Sequence, residues 1–227
     1  MGLFALAMGY CEAAVVVYLR QIYYPAGFAF LLNTTMLKPI LLVESGREAA
    51  TLIMLAVIAW LAGKNRLERF SWFLFAFGVW DIAYYLGLKA ILGWPPSLLT
   101  WDILFLIPIP WVAPILAPVL VSALMIALGL AYVNLGRTGR AARANLIDRL
   151  ALTIGPAAIL LSFLSDHGLL VARHGLTYGP LGLHAAPGAD PAAHVPTNYP
   201  WWLLLLGLAL IVWSAFLRIY PRSLHPE

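Results

Sequence analysis

Charge is what this sequence has least of. Only 11% of its 227 residues are Asp, Glu, Lys or Arg, where a water-soluble domain carries about 25%. At 63% hydrophobic, the chain has too little polar surface to cover a core in water. Cysteine is nearly missing as well. The lone Cys11 excludes a disulfide framework or a thiolate metal cage within one chain. Also absent are a Gly-rich phosphate loop, Cys-x-x-Cys, His-Glu-x-x-His and the Gly-x-Ser-x-Gly elbow. No histidine stands in the middle of a long apolar run, which speaks against bis-histidine haem ligation. The His-box patterns of a di-iron oxygenase are missing too. No motif indicates a cofactor, and no metal site is assigned.

Long apolar runs are what the chain does have. A bilayer core of about 30 Å needs about 20 such residues in a helix. The runs fall at 2–19, 40–62, 70–92, 111–134, 150–172 and 200–220. They predict an all-α integral membrane protein: a single polytopic domain, built as a six-helix transmembrane bundle. The first run lacks a basic leader and a small-x-small cleavage site, so it reads as a span rather than a cleaved signal.

The connections alternate in character. Residues 63–69, 135–149 and the tail are basic, with Lys64, Arg66, Arg69, Arg137, Arg140, Arg143, Arg149, Arg218 and Arg222. The opposite connections hold Arg20, Lys38, Lys89 and Arg173. The positive-inside rule then puts both termini in the cytoplasm, as expected of a multi-pass protein of the cell inner membrane. Topology and anionic lipid account for the basic loops, and no nucleic-acid partner is implied. The expected partners are the lipid bilayer and either further copies of the chain or a larger membrane complex.

On the outer side, segments 21–39 and 93–110 are apolar but broken by Pro and Trp. They are expected to lie in the interface or to re-enter it. The outer loop 173–199 carries His174, His184 and His194, whose ten-residue spacing matches no metal-ligand motif.

Ionisable residues inside spans cost about 2.5–3.5 kcal/mol each on insertion scales and usually face the bundle interior. Glu44, Arg47, Glu48 and Thr51 recur at helical spacing and form one stripe on the second span. Asp81, Tyr85 and Lys89 form another on the third, with Tyr84 beside it. Counting at about 1.5 Å per residue from the short 63–69 connection places these stripes opposite each other. Glu12 on the first span comes out near the depth of Asp81. Arg47 needs a carboxylate, with Glu44 and Glu48 close by and Asp81 across the helix pair. Two acidic groups are left over, and surplus carboxylates in low dielectric take up protons or hold a cation. Glu12, Glu44, Arg47, Glu48, Asp81, Tyr85 and Lys89 are therefore the candidate ligand-binding residues. Tyr84, Asp166 and His167 are candidates for the outer mouth. The triplet Trp-Asp-Ile occurs twice, but Asp102, in the second copy, reads as an interfacial helix cap without a role of its own.

Three functions fit. The first is binding or translocation of a proton, a cation or a small solute at an outward-opening carboxylate cluster. The second is an enzyme working at the outer leaflet on an anionic lipid-linked or small substrate. Glu44 and Glu48 form the Glu-x-x-x-Glu seen in some enzymes of polyprenyl phosphates, but the Arg/Ser-rich partner motif is missing. The third is a non-catalytic subunit or assembly factor of a larger complex.

Overall fold

The computed structural model describes residues 1–24, 38–107, 109–138, 146–174, 177–179, 182–184 and 198–219. Its helices are α1 (Gly2–Tyr23), α2 (Lys38–Ala62), α3 (Arg66–Leu92), α4 (Leu116–Thr138), α5 (Leu146–His174) and α6 (Trp201–Ile219). Helices α1 to α5 are long and apolar enough to cross a membrane, and α6 contributes a shorter apolar stretch, Trp201–Leu217. Two small antiparallel hairpins interrupt the helical order. One pairs β1 (Trp101–Phe105) with β2 (Trp111–Pro114), the other β3 (Thr177–Gly179) with β4 (Gly182–His184).

The outside of the bundle is greasy. Leu3 is 84% exposed, Leu61 75% and Trp202 69%. Such a surface would aggregate in water, and hydrocarbon is the solvent that suits it. The protein is thus a membrane-embedded, mostly helical bundle.

Local chemistry explains where the helices stop and turn. Asn65 caps α3: its side-chain oxygen accepts from the Glu68 amide at 2.9 Å, while the Glu68 carboxylate accepts from the Lys64 amide at 3.0 Å. This reciprocal cap satisfies amides that the first helical turn leaves open. Arg69 adds a bond to the Gly63 carbonyl at 3.1 Å and stacks on Trp60. The turn holds α2 and α3 antiparallel, as the short basic connection predicts. At its other end α3 stops at Gly93, whose φ of 66° is the left-handed conformation a glycine adopts without strain.

Small residues let the helices close on one another. A Cβ at Gly9 of α1 would lie 2.7 Å from the Trp80 carbonyl of α3, and one at Gly78 of α3 only 2.5 Å from the Ser122 carbonyl of α4. In hydrocarbon no hydrophobic force drives helices together, so this close backbone approach supplies much of the packing. Helix α3 sits between α1 and α4 by this means. Helices α5 and α6 meet at Gly155 and Gly207 in the same way.

The hairpin β1–β2 corrects the expected span boundaries. Trp111–Pro114, read as the start of the fourth span, forms a strand instead, and α4 begins at Leu116. The reason is that apolar composition predicts burial, not backbone geometry. Pro110 and Pro114 lack an amide hydrogen, so a helix running through both would lose two backbone bonds. The hairpin pairs Trp101 with Pro114, Asp102 with Ala113 and Ile103 with Val112, with a bulge between Ile103 and Phe105. It is tied to its own ends by Ile115 N–H donating to the Thr100 carbonyl and Leu116 N–H to the Leu98 carbonyl, at 2.9 and 2.7 Å. Rings of Phe77, Trp80, Phe105, Trp111 and Phe163 meet successively at centroid separations of 5.2–6.3 Å and pin it between α3 and α5. The earlier broken segment, 21–39, begins as a continuation of α1 to Tyr23, and its residues 25–37 lie outside the described residues.

Replacing Gly78 by Leu should lower the melting temperature in detergent strongly, since overpacking typically costs about 1–3 kcal/mol. Gly46, whose Cβ would meet nothing within 4 Å, is the control. Gly46→Ala should leave the melting temperature unchanged or slightly raised.

Candidate functional site

Under the β1–β2 hairpin lies a small chamber of about 70 Å³. Its polar wall is Glu12 from α1, Arg47, Glu48 and Thr51 from α2, and Asp81, Tyr84 and Tyr85 from α3. Ile103, Leu104 and Phe105 of β1 form its cover. Helical spacing puts each set on one face, and the tight α2–α3 turn and the Gly9 contact bring the faces together. A polar space of this size holds a few water-sized groups.

The single cation of the chamber wall is shared. Arg47 forms an ion pair with Glu12 across the α1–α2 interface and another with Glu44 at 2.8 Å, one turn away. Its Nε adds a bond to the same Glu44 carboxylate at 2.9 Å. Thr51 donates to Glu12 at 3.4 Å. Removing one partner from so buried a pair typically costs about 3–5 kcal/mol, which makes Arg47 the clamp between α1 and α2.

Two carboxylates are held by neutral donors instead. Glu48 receives the Leu106 backbone amide on both oxygens, at 2.9 and 3.0 Å. This bond ties the hairpin to α2 and supplies an amide that the strand leaves open. Asp81 receives the Ser122 hydroxyl of α4 at 2.8 Å. The contact depends on Gly78, one turn earlier on α3, which admits the α4 backbone at Ser122. No cation among the described residues lies within 4.0 Å of Glu48 or Asp81. The indole N–H of Trp80, a residue 5% exposed that also lines the chamber, has no acceptor among the described residues.

The structure places the predicted residues unevenly. Glu12, Arg47, Glu48, Asp81, Tyr84 and Tyr85 share the chamber, and Glu44 stands behind Arg47 as its second anion. The cross-helix partner of Arg47 is Glu12 rather than Asp81. Lys89 points elsewhere: its ammonium is exposed and donates to the carbonyls of Gly93 and Pro95 at 3.1 and 2.8 Å. These carbonyls, just past the end of α3, compete successfully for it. Asp166 is half-buried on α5 and is not part of the chamber wall. The side chains of His167, His174 and His184, and all of His194, lie outside the described residues.

Asp102 differs most from expectation. It is 4% exposed, on a strand rather than at a helix cap. Its carboxylate accepts the Tyr85 hydroxyl at 3.2 Å and faces the Arg20 guanidinium at 3.9 Å. Arg20 in turn lies 3.7 Å above the Trp94 ring. The sequence signal for this pair was weak. Arg20 follows the first apolar run and looked like a connection residue, but α1 continues past it to Tyr23. Asp102 carries the same neighbours as Asp81, yet only strand pairing opposite Ala113 turns it inward.

Comparison with protein families, with curated proteins and with solved structures finds none that matches this chain. The site therefore rests on its geometry. That geometry can hold a proton or a cation: Glu12, Glu48 and Asp81 line the chamber against Arg47 alone.

Asp102 lies on the hairpin, outside the spanning helices, and burial pushes its carboxyl up to about 7, with Arg20, the Ile103 amide and the Tyr85 hydroxyl holding it down in part. Its ordinary value is about 4. Between those values the unfolded chain ionises Asp102 while the folded chain keeps the proton, so stability from this group falls as pH rises from about 4 to about 7. Asp102→Asn should flatten the fall in melting temperature over that window relative to the parent, measured in the same detergent.

Proposed function

We propose that this protein binds a proton or a small cation in the chamber under the hairpin and exchanges it with one side of the membrane. One observation carries the reading. Glu48 and Asp81 face a shared polar chamber with no cation among the described residues within 4.0 Å, while Arg47 is already claimed by Glu12 and Glu44. A purely structural charge cluster would pair its anions, because an unpaired charge in hydrocarbon is the costly arrangement.

In this reading Glu48 and Asp81 are the ligands, Glu12 and Arg47 set the local charge, and the hairpin is the cover. Opening would need the Glu48–Leu106 bond to break together with the Tyr85–Asp102 bond and the ring contacts of Phe105 and Trp111. In this reading the hairpin faces the outer side of the cell inner membrane and both termini face the cytoplasm, which the distribution of Lys and Arg supports. The protein would work as an oligomer or within a larger complex, since six helices are few for a complete carrier.

Methylammonium is the test ligand for the site. It should raise the melting temperature of the purified protein saturably, and choline, whose trimethylated head has no N–H to donate to Glu48 or Asp81, should raise it less. Asp81→Asn and Glu48→Gln should each abolish the shift while remaining folded. An equal shift in Asp81→Asn removes the site from consideration.

Orientation is checked in intact cells with Cys11 replaced. A cysteine at Ser97 should react with an impermeant maleimide, and one at Lys64 should react only after lysis. The reverse pattern inverts the topology.

A further inference from the structure

A second cavity adjoins the chamber. It has a volume of about 390 Å³ and lies between α3, α4, α5 and the hairpin. Its wall is hydrocarbon and rings: Phe70, Phe73, Phe77, Leu128, Ile159 and Phe163 are typical. Asp81, Leu104 and Phe105 line both spaces, so the two lie side by side at Asp81. From Asp81 to Phe70 the cavity runs along α3 for roughly 16 Å, at 1.5 Å per residue.

The cavity is the size of a ligand pocket and is open at its rim, where Phe70 is 54% exposed. Apolar cavities stay dry and take up apolar molecules, whereas polar ones take water. The occupant of the large cavity is therefore hydrocarbon, and the occupant of the chamber is polar. Their adjacency at Asp81 joins the two demands in a single molecule. The head is specified further by its surroundings. Glu12, Glu48 and Asp81 against Arg47 favour a positively charged donor over an anion.

We infer that the ligand is a lipophilic amine: an ammonium head in the chamber at Asp81 and one hydrocarbon chain in the cavity between α3, α4 and α5. This deepens the cation-binding reading and rests on it. The ammonium could belong to a free long-chain amine or to an amine-bearing lipid head group, and both present the same chemistry to Asp81.

The test uses the full chain in phosphatidylcholine nanodiscs and tritiated n-dodecylamine, with empty discs subtracted. Binding should be saturable and at least about tenfold tighter than that of n-dodecanol or n-dodecyl sulfate, a difference of roughly 1.4 kcal/mol. Leu128→Trp and Leu124→Trp fill the apolar cavity from α4, and Leu128 lies six residues, about 9 Å, beyond Ser122. Both should weaken dodecylamine binding by more than tenfold and leave the methylammonium shift intact. Ile159→Phe, a smaller filling from α5, serves if either tryptophan variant fails to fold. Asp81→Asn should abolish both responses. Competition by lysophosphatidylethanolamine assigns the amine to a lipid head group, and its failure assigns it to a free amine.

Unchanged dodecylamine binding in the cavity-filled variants, dodecyl sulfate binding as tightly as the amine, or the absence of saturable binding each overturns the inference. In those cases a methylammonium shift that still depends on Asp81 leaves the small-cation reading standing. Loss of that dependence defeats the parent reading instead.

Discussion

An ionised side chain in hydrocarbon has no water to fall back on, and the helices are arranged around meeting that demand. Arg47 is the centre of it. Its guanidinium is permanently charged, so the fold must bring it anions, and it receives Glu12 from α1 and Glu44 from its own helix. Arg20 poses the same demand a few turns away and is met by Asp102 and the Trp94 ring. Each arginine thereby joins elements distant in sequence: α1 to α2 in one case, α1 to the hairpin in the other. Neutral donors complete the set at Glu48 and Asp81, and those two carboxylates are where the charge remains uncompensated within ion-pair reach.

The geometry that permits these contacts comes from small residues. Gly78 lets α4 approach α3 closely enough for Ser122 to reach Asp81, and Gly9 lets α1 close on α3 from the other side. Packing and electrostatics are thus coupled through single positions. The hairpin adds the third component. The strand pair satisfies its facing amides and carbonyls through its own ladder, and the amides just beyond its ends bond to Thr100, Leu98 and Glu48. Its apolar side chains close the chamber on one side and border the larger cavity on the other. A site proposed to discriminate an ammonium head from an anionic one would be built from those two unlike surfaces.

Much of this was legible without coordinates. The α2 stripe Glu44, Arg47, Glu48 and Thr51 followed from spacing alone, as did its apposition to Asp81, Tyr84 and Tyr85, because a tight turn leaves two helices few ways to pack. The depth of Glu12 followed from rise per residue. Lys89 could not be judged that way. Periodicity placed it on the stripe, but a long side chain in the last helical turn has nearby carbonyls to bond, and those won. Asp102 was misjudged for a related reason: hydropathy reports how apolar a segment is, and carries no information on whether it will pair as strands.

Composition and spacing by themselves determined that this chain is a membrane-embedded helical protein, and which intramembrane residues share a face. Both are local properties, set by the solvent the side chains require and by the helical repeat. Tertiary structure alone decided the partners: Glu12 for Arg47, Ser122 for Asp81, Asp102 for Arg20, and the Leu106 amide for Glu48. Partner choice depends on which backbones approach within a few ångströms. That in turn depends on glycine contacts and strand register between segments far apart in the chain.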